Sequence, residues 1–174
     1  LKRIVALFDG QVVPFEIDGI AAGALLEGHR FLGCGRPFAV EDFADYRTWL
    51  DARGVHTEYA KVIMGMFTAS FFCNTDRNNA QIASFFPGAM ALAGVQSLHD
   101  VEPRPDLVVI SPSAPDAMRK FVSECKELGI RYAYDPSQQL ARVTREEVLE
   151  GVDGAWMLVV NDYEAGLIEK MTDL

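Results

Sequence analysis

Cysteine is scarce: three thiols, Cys34, Cys73 and Cys125, are spread through 174 residues. An odd count at wide spacing excludes a disulfide framework and a zinc knuckle. Reduced thiols fit a cytoplasmic protein. The histidines, His29, His56 and His99, have no ligand-like spacing, so no structural metal is expected. Long apolar runs are missing too. None approaches the roughly 20 residues of a membrane span, and Asp9 interrupts the early apolar stretch, so neither a membrane partner nor a signal peptide is expected. Positive charge is short: 16 Lys and Arg face 25 Asp and Glu, a net charge of -9. A nucleic-acid surface needs clustered Lys and Arg, so no nucleic-acid partner is expected. ATP is not excluded, because a nucleotide needs only a local positive field, a helix N-terminus or a metal ion. There is no Walker loop, no G-x-G-x-x-G run and no G-x-S-x-G elbow.

With 49% hydrophobic and 24% charged residues, the chain can build an ordinary globular core. Residues 1–8 read as a strand and Gly10 as a turn. Gly19, Gly23, Gly28, Gly33 and Gly35 then punctuate the chain too often for a helix. From Glu41 the signals sharpen. Asp42 can cap a helix with Phe43, Tyr46 and Leu50 on its apolar side, ended by Gly54. Residues 67–74 and 81–86 are rich in aromatic and β-branched side chains. The polar run 75–79 between them reads as a hairpin turn.

The remainder alternates between strand and helix. Residues 106–110 (DLVVI) and 155–160 (AWMLVV) read as strands buried on both faces, with a further strand at 130–134. Between them lies a helix over 113–128, with Ser113 as cap and Pro115 in its first turn. It carries Met118, Phe121, Val122, Cys125 and Leu128 at helical spacing, and Gly129 ends it. Thr144 and Glu147 form the signature of a capping box, and 162–171 reads as another helix. Strand–helix–strand–helix–strand implies parallel pairing through right-handed crossovers, hence an α/β layered fold.

In such sheets ligands bind beyond the carboxyl ends of the strands. Those ends are Ser111-Pro112-Ser113, the stretch 135–139 (DPSQQ), and the stretch 161–164 (NDYE). The amides of Gln138 and Gln139 can donate and accept at once, which suits a purine edge or ribose hydroxyls; a solvated loop is the other reading. Glu164 can simply favour the positive end of its helix, or it can organise Mg²⁺ and its waters, with Asn161 near a phosphate. Phe71 and Phe85, one on each hairpin strand, can flank a base or can be core, with Phe72 and Phe86 turned to the opposite side.

Four stretches resemble actinobacterial adenosine kinases of the ribokinase (PfkB) family: FADYRTWLDARGV (43–55), TASFFCNTDRNNAQIASFFPGAM (68–90), DPSQQLAR (135–142) and NDYE (161–164). The resemblance covers most of 41–170. It implies a ribokinase-like fold, a parallel sheet flanked by helices with a small β lid hairpin over 67–86. Residues 1–40 form a poorly matched segment and 41–174 the central part of the kinase domain. It also implies transfer of the ATP γ-phosphoryl group to the 5′-hydroxyl of adenosine, in purine salvage, with a ribokinase-like sugar kinase or a non-catalytic nucleoside-binding fragment as the alternative readings. On this resemblance Phe71, Phe85, Gln138 and Gln139 bind the nucleoside, and Asn161 and Glu164 serve ATP and Mg²⁺. The lid offers a homodimer contact. The family's catalytic Asp belongs to a Gly-rich segment absent from these 174 residues, and Ala80 stands where the family's hairpin usually has Asn.

Overall fold

The computed structural model describes residues 3–27, 37–78 and 80–173. They fall into two compact units, Leu1–Lys61 and Val62–Leu174. His29, Cys34, Asn79 and Gly28, Gly33 and Gly35 lie outside the described residues.

The first unit is built from short strands. They are β1 (Ile4–Val5), β2 (Leu7–Phe8), β3 (Gln11–Val12), β4 (Glu16–Ile17), β5 (Ile20–Gly23), β6 (Leu25–Glu27) and β7 (Pro37–Ala39). The strand expected over 1–8 is therefore two pieces, broken at Ala6. β1 runs parallel to β5, while β2 with β3, β4 with β5, and β6 with β7 pair antiparallel. Two Asp-Gly pairs make the tight turns. Asp9-Gly10 joins β2 to β3, and Asp18-Gly19 joins β4 to β5, with φ of 51° and 73° in the first and 51° and 76° in the second. Both central residues sit at positive φ, the geometry that two-residue hairpins demand and that Asp-Gly adopts at low cost. Helix α1 (Phe43–Asp51) follows, and the Asp42 carboxylate accepts from the Asp45 N–H at 2.9 Å as its cap. Trp49 of α1 stacks on Phe38 of β7, with centroids 3.8 Å apart and planes 11° from parallel.

The second unit opens with a hairpin, β8 (Ser70–Thr75) against β9 (Gln81–Phe86). Asp76 shapes its turn by accepting from the N–H groups of Asn78 (2.7 Å) and Ala80 (2.9 Å). The stem closes where the Ala89 N–H donates to the Phe67 carbonyl at 2.8 Å. The chain crosses so tightly there that a Cβ on Gly88 would collide with the Phe67 carbonyl oxygen. A 3-10 stretch, Gly88–Val95, leads to the sheet. β10 (Leu107–Ile110), β11 (Arg131–Tyr134) and β12 (Met157–Leu158) lie in that order, all parallel. The crossovers are α2 (Pro115–Leu128) and α3 (Arg145–Val152), and α4 (Asp162–Thr172) follows β12.

One core joins α2 to the sheet through Ile110, Met118, Val122, Cys125, Ile130, Tyr132 and Tyr134. A second joins α3 and α4 to the turn at 137–141 through Leu140, Val148 and Ile168. Glu124 of α2, buried, holds the preceding 3-10 turn (Leu98–Asp100): it accepts from Ser97 Oγ at 2.8 Å and from the Leu98 N–H at 2.7 Å. Lys120 one turn earlier donates to the Gly94 and Gln96 carbonyls.

Two expectations are corrected here. β10 and β12 are not buried on both faces. Val109 is 62% exposed, and Leu107, Trp156, Met157, Leu158 and Val159 are exposed as well. Helix α2 packs on the face that carries Ile110, Tyr132 and Tyr134. The cap of α2 is Ala114, which offers no side-chain bond; the Ser113 N–H meets Met118 Sδ at 3.4 Å instead. Pro115 occupies the first helical position, where its missing N–H is one the helix leaves unpaired anyway and its fixed φ suits the helix.

Candidate functional site

The carboxyl ends of β10 and β11 are locked together, because the Asp135 N–H donates to the Ile110 carbonyl at 3.0 Å. The Val159 N–H donates to the Tyr134 carbonyl at 2.9 Å and brings the end of β12 alongside. The polar residues after β11 and β12 therefore share one edge of the sheet, as the topology requires.

After β11 the chain turns at Ser137, whose φ of 42° places a non-glycine residue in the left-handed region. A 3-10 turn, Ser137–Ala141, follows and separates the two glutamines. Gln138 is exposed, whereas Gln139 is 5% exposed and its Oε1 has no hydrogen-bond partner among the described residues. A buried amide oxygen left unpaired costs about 1–3 kcal/mol, so the site holds an unused acceptor.

At the start of α4, Asn161 and Glu164 form a reciprocal capping box. The Glu164 N–H donates to Asn161 Oδ1 at 2.9 Å, and the Asn161 N–H donates to Glu164 Oε2 at 3.0 Å. Thr144 and Glu147 do the same at α3. The structural role for Glu164 is thus realised through one carboxylate oxygen, Oε2. Asp135 stands close enough to feel it. Burial, and then the negative charge of Glu164, push the Asp135 carboxyl above the usual carboxylate range. Asp135 joins this group although the sequence reading did not single it out within the DPSQQ stretch; a lone Asp before Pro carries no spacing signal.

Phe71 and Phe85 stand directly opposite each other on the hairpin, on the face shared with Cys73 and Ala83. Phe72 and Phe86 occupy the other face, in line with the alternation expected. All four rings are exposed, Phe71 at 51% and Phe85 at 42%, so neither face is core. No described hydrogen bond or ring contact joins Phe71 or Phe85 to Gln139, Asn161 or Glu164. The structure brings Asp135, Asn161 and Glu164 together at the strand ends and leaves the aromatic pair on its own element. A groove of about 500 Å³ lies elsewhere, against α2 and α3, lined by Asp116, Arg119, Ser123, Lys126 and Glu150. Its cations are already engaged: Arg119 with Glu147 and Glu150, and Lys126 with Asp153. It offers little to an anion. Among the described residues no cluster of three or more metal-type ligands occurs, and no helix is long and apolar enough to cross a membrane.

Comparison with known proteins gives two different likenesses. The family model described as glycyl-tRNA synthetase beta subunit matches residues 1–73. The glycine–tRNA ligase β subunit of Phenylobacterium zucineum is 58% identical over 55 residues, which are 32% of this chain and 8% of that protein. That of Geobacter metallireducens is 56% identical over 43 residues, 25% of this chain and 6% of that protein. Among solved structures, Burkholderia thailandensis nucleoside kinase in complex with inosine superposes with a TM-score of 0.68 at 28% identity, covering 76% of this chain and 44% of that one. Methanocaldococcus jannaschii nucleoside kinase, a member of the ribokinase family, gives a TM-score of 0.64 at 19% identity, with 74% and 42% covered. The fold is ribokinase-like. The chain spans less than half of these two kinases and under a tenth of the ligase subunits.

These findings overturn the adenosine kinase assignment and the purine-salvage role attached to it. The stretch 43–55, read as a kinase helix, lies inside the region matched by the ligase family. None of these structures is described as an adenosine kinase. A short amphipathic helix capped by Asp42 is common to many folds, and 13 residues of it were too little to separate the two families. The exclusion of nucleic acid is reopened as well, since the matching relatives are by name ligases of tRNA.

Proposed function

We propose that residues 1–61 work as part of a glycine–tRNA ligase β subunit, in an assembly whose substrate is tRNA. The observation that carries this reading is the identity of 58% over 55 residues with such a subunit. Filter binding of the chain to labelled glycine tRNA, against a non-cognate tRNA, tests it. Selective retention of glycine tRNA is expected. Equal, negligible retention of both would refute the reading.

A second reading concerns Val62–Leu174, and the unpaired Oε1 of Gln139 at the strand ends favours it. This unit belongs to an ATP-using enzyme and takes a purine nucleoside and a nucleotide. The 28% identical kinase solved with inosine, and again with ADP-inosine, supports that ligand class. Gln139 and Gln138 would meet the polar edge of the nucleoside, and Phe71 and Phe85 would flank its base. Asn161 and Glu164 would serve the phosphates and Mg²⁺. The donor set fits that ion. Asp135 and Glu164 are hard oxygen ligands, their mutual repulsion is what a cation relieves, and Mg²⁺ needs only one or two carboxylates beside its waters. When bound, the ion would neutralise phosphate charge; these side chains orient it. Equilibrium dialysis with labelled inosine is the test. Gln139→Ala should weaken binding about two- to tenfold, the worth of one hydrogen bond to a neutral partner. Unchanged binding would remove Gln139 from the site.

A further inference from the structure

In the first unit three flat groups lie in one column. Phe38 of β7 supports Trp49 of α1, centroids 3.8 Å apart, and the Arg53 guanidinium lies over the other side of Trp49 with Cζ 3.7 Å from the ring centroid. Arg53 is fixed there, because its Nη1 donates to the Trp49 carbonyl at 3.0 Å. The residue itself is exposed, so the guanidinium is the outer member of the column. A planar cation held rigidly on an aromatic stack is what an unstacked nucleobase packs against. Most of the entropy of ordering that side chain has already been lost in the free protein.

We propose that the outer face of Arg53 is a stacking platform for an unpaired base of tRNA. The proposal rests on the reading of residues 1–61 as a tRNA-ligase segment. With a net charge of -9 the chain has few cations to spend on phosphates, which raises the relative weight of a base-stacking contact.

The experiment measures glycine-tRNA affinity of the whole chain as wild type, Arg53→Ala, Arg53→Lys and Arg47→Ala. Arg47, exposed on α1 and outside the stack, controls for charge alone. Arg53→Lys keeps the charge and loses the plane. Both Arg53 variants should bind about tenfold or more weakly, with Arg47→Ala within twofold of wild type. Trp49→Phe, which keeps a ring beneath the guanidinium, should retain most binding. Wild-type affinity in Arg53→Lys would overturn the platform while leaving the tRNA reading intact. A wild-type chain that binds no tRNA would overturn both, and that result does not depend on Arg53.

Discussion

Gly151 lies in the last turn of α3 and is buried beneath the ring of Tyr134. Two effects of Gly151→Ala oppose each other there. Alanine in a helix is favoured over glycine by about 0.5–1 kcal/mol. The new Cβ, however, would stand under 3.0 Å from Cζ, Cε1 and Cε2 of Tyr134. That ring cannot easily retreat, because it is 3% exposed and packed in the core with Ile110, Met118 and Val122. Overpacking of this kind costs typically about 1–3 kcal/mol, so the clash wins and a net loss of about 1–2 kcal/mol is expected. Urea unfolding followed by circular dichroism measures it, as a lower midpoint at constant m-value. A double-mutant cycle locates it: the alanine should cost little once Tyr134→Leu has removed the ring, and should still cost in a Tyr134→Phe background. Gly151→Ala as stable as wild type, or more stable, would show that the two elements do not press on each other. Because Tyr134 precedes Asp135, the same variant should also loosen inosine binding by the second unit.

Three further outcomes are expected. Glu124→Ala strands the Leu98 N–H and the Ser97 hydroxyl, and should cost about 3–5 kcal/mol in urea unfolding, with Glu124→Gln losing less; a loss below 0.5 kcal/mol would deny the clamp. Asp135 has its folded pKa raised, so its contribution is fully present below the ordinary 3.8 and is lost as pH rises through the folded value. Asp135→Asn should flatten the stability profile over that window, and a profile identical to wild type would remove Asp135 as its source. The thiols should separate as well. Burial, with Glu124 beside it, pushes Cys125 up to about 11, so peptide-resolved alkylation at pH 8 should label exposed Cys73 quickly and Cys125 only in urea. Early labelling of Cys125 would mean that α2 opens readily.

Much of the second unit was legible because its signals are local. Gly129 ends α2 in the left-handed conformation, and Thr144 with Glu147 closes the box its spacing suggests. Period-two alternation separated Phe71 and Phe85 from Phe72 and Phe86. An apolar run such as DLVVI, by contrast, cannot say whether one face of its strand is covered or two, and here Val109 is open. Nor could adjacent glutamines be told apart, since the 3-10 turn that buries Gln139 and exposes Gln138 is set by packing against α4. In the first unit the strands are mostly two or three residues long, too short for any alternation to register. The signal that was available, Asp-Gly twice at nine-residue spacing, was lost among the other glycines of that stretch. The likeness to a ligase subunit lay in segments that no physical pattern distinguishes from other short β-rich pieces.

The closure of the hairpin stem has a consequence for how this unit can be remade. Phe67 and Ala89 are hydrogen-bonded neighbours, so the twenty-one residues between them leave the body of the unit and return to the same point. An insertion anchored that way behaves as a cassette. Its length and sequence can drift, or be exchanged for another ribbon, without asking anything of the sheet or of α2, since the cost of a longer closed loop grows only slowly. Selection on the ligand could then act on the ribbon alone, while the strand ends that carry Asp135 and Glu164 stay under the separate discipline of the core.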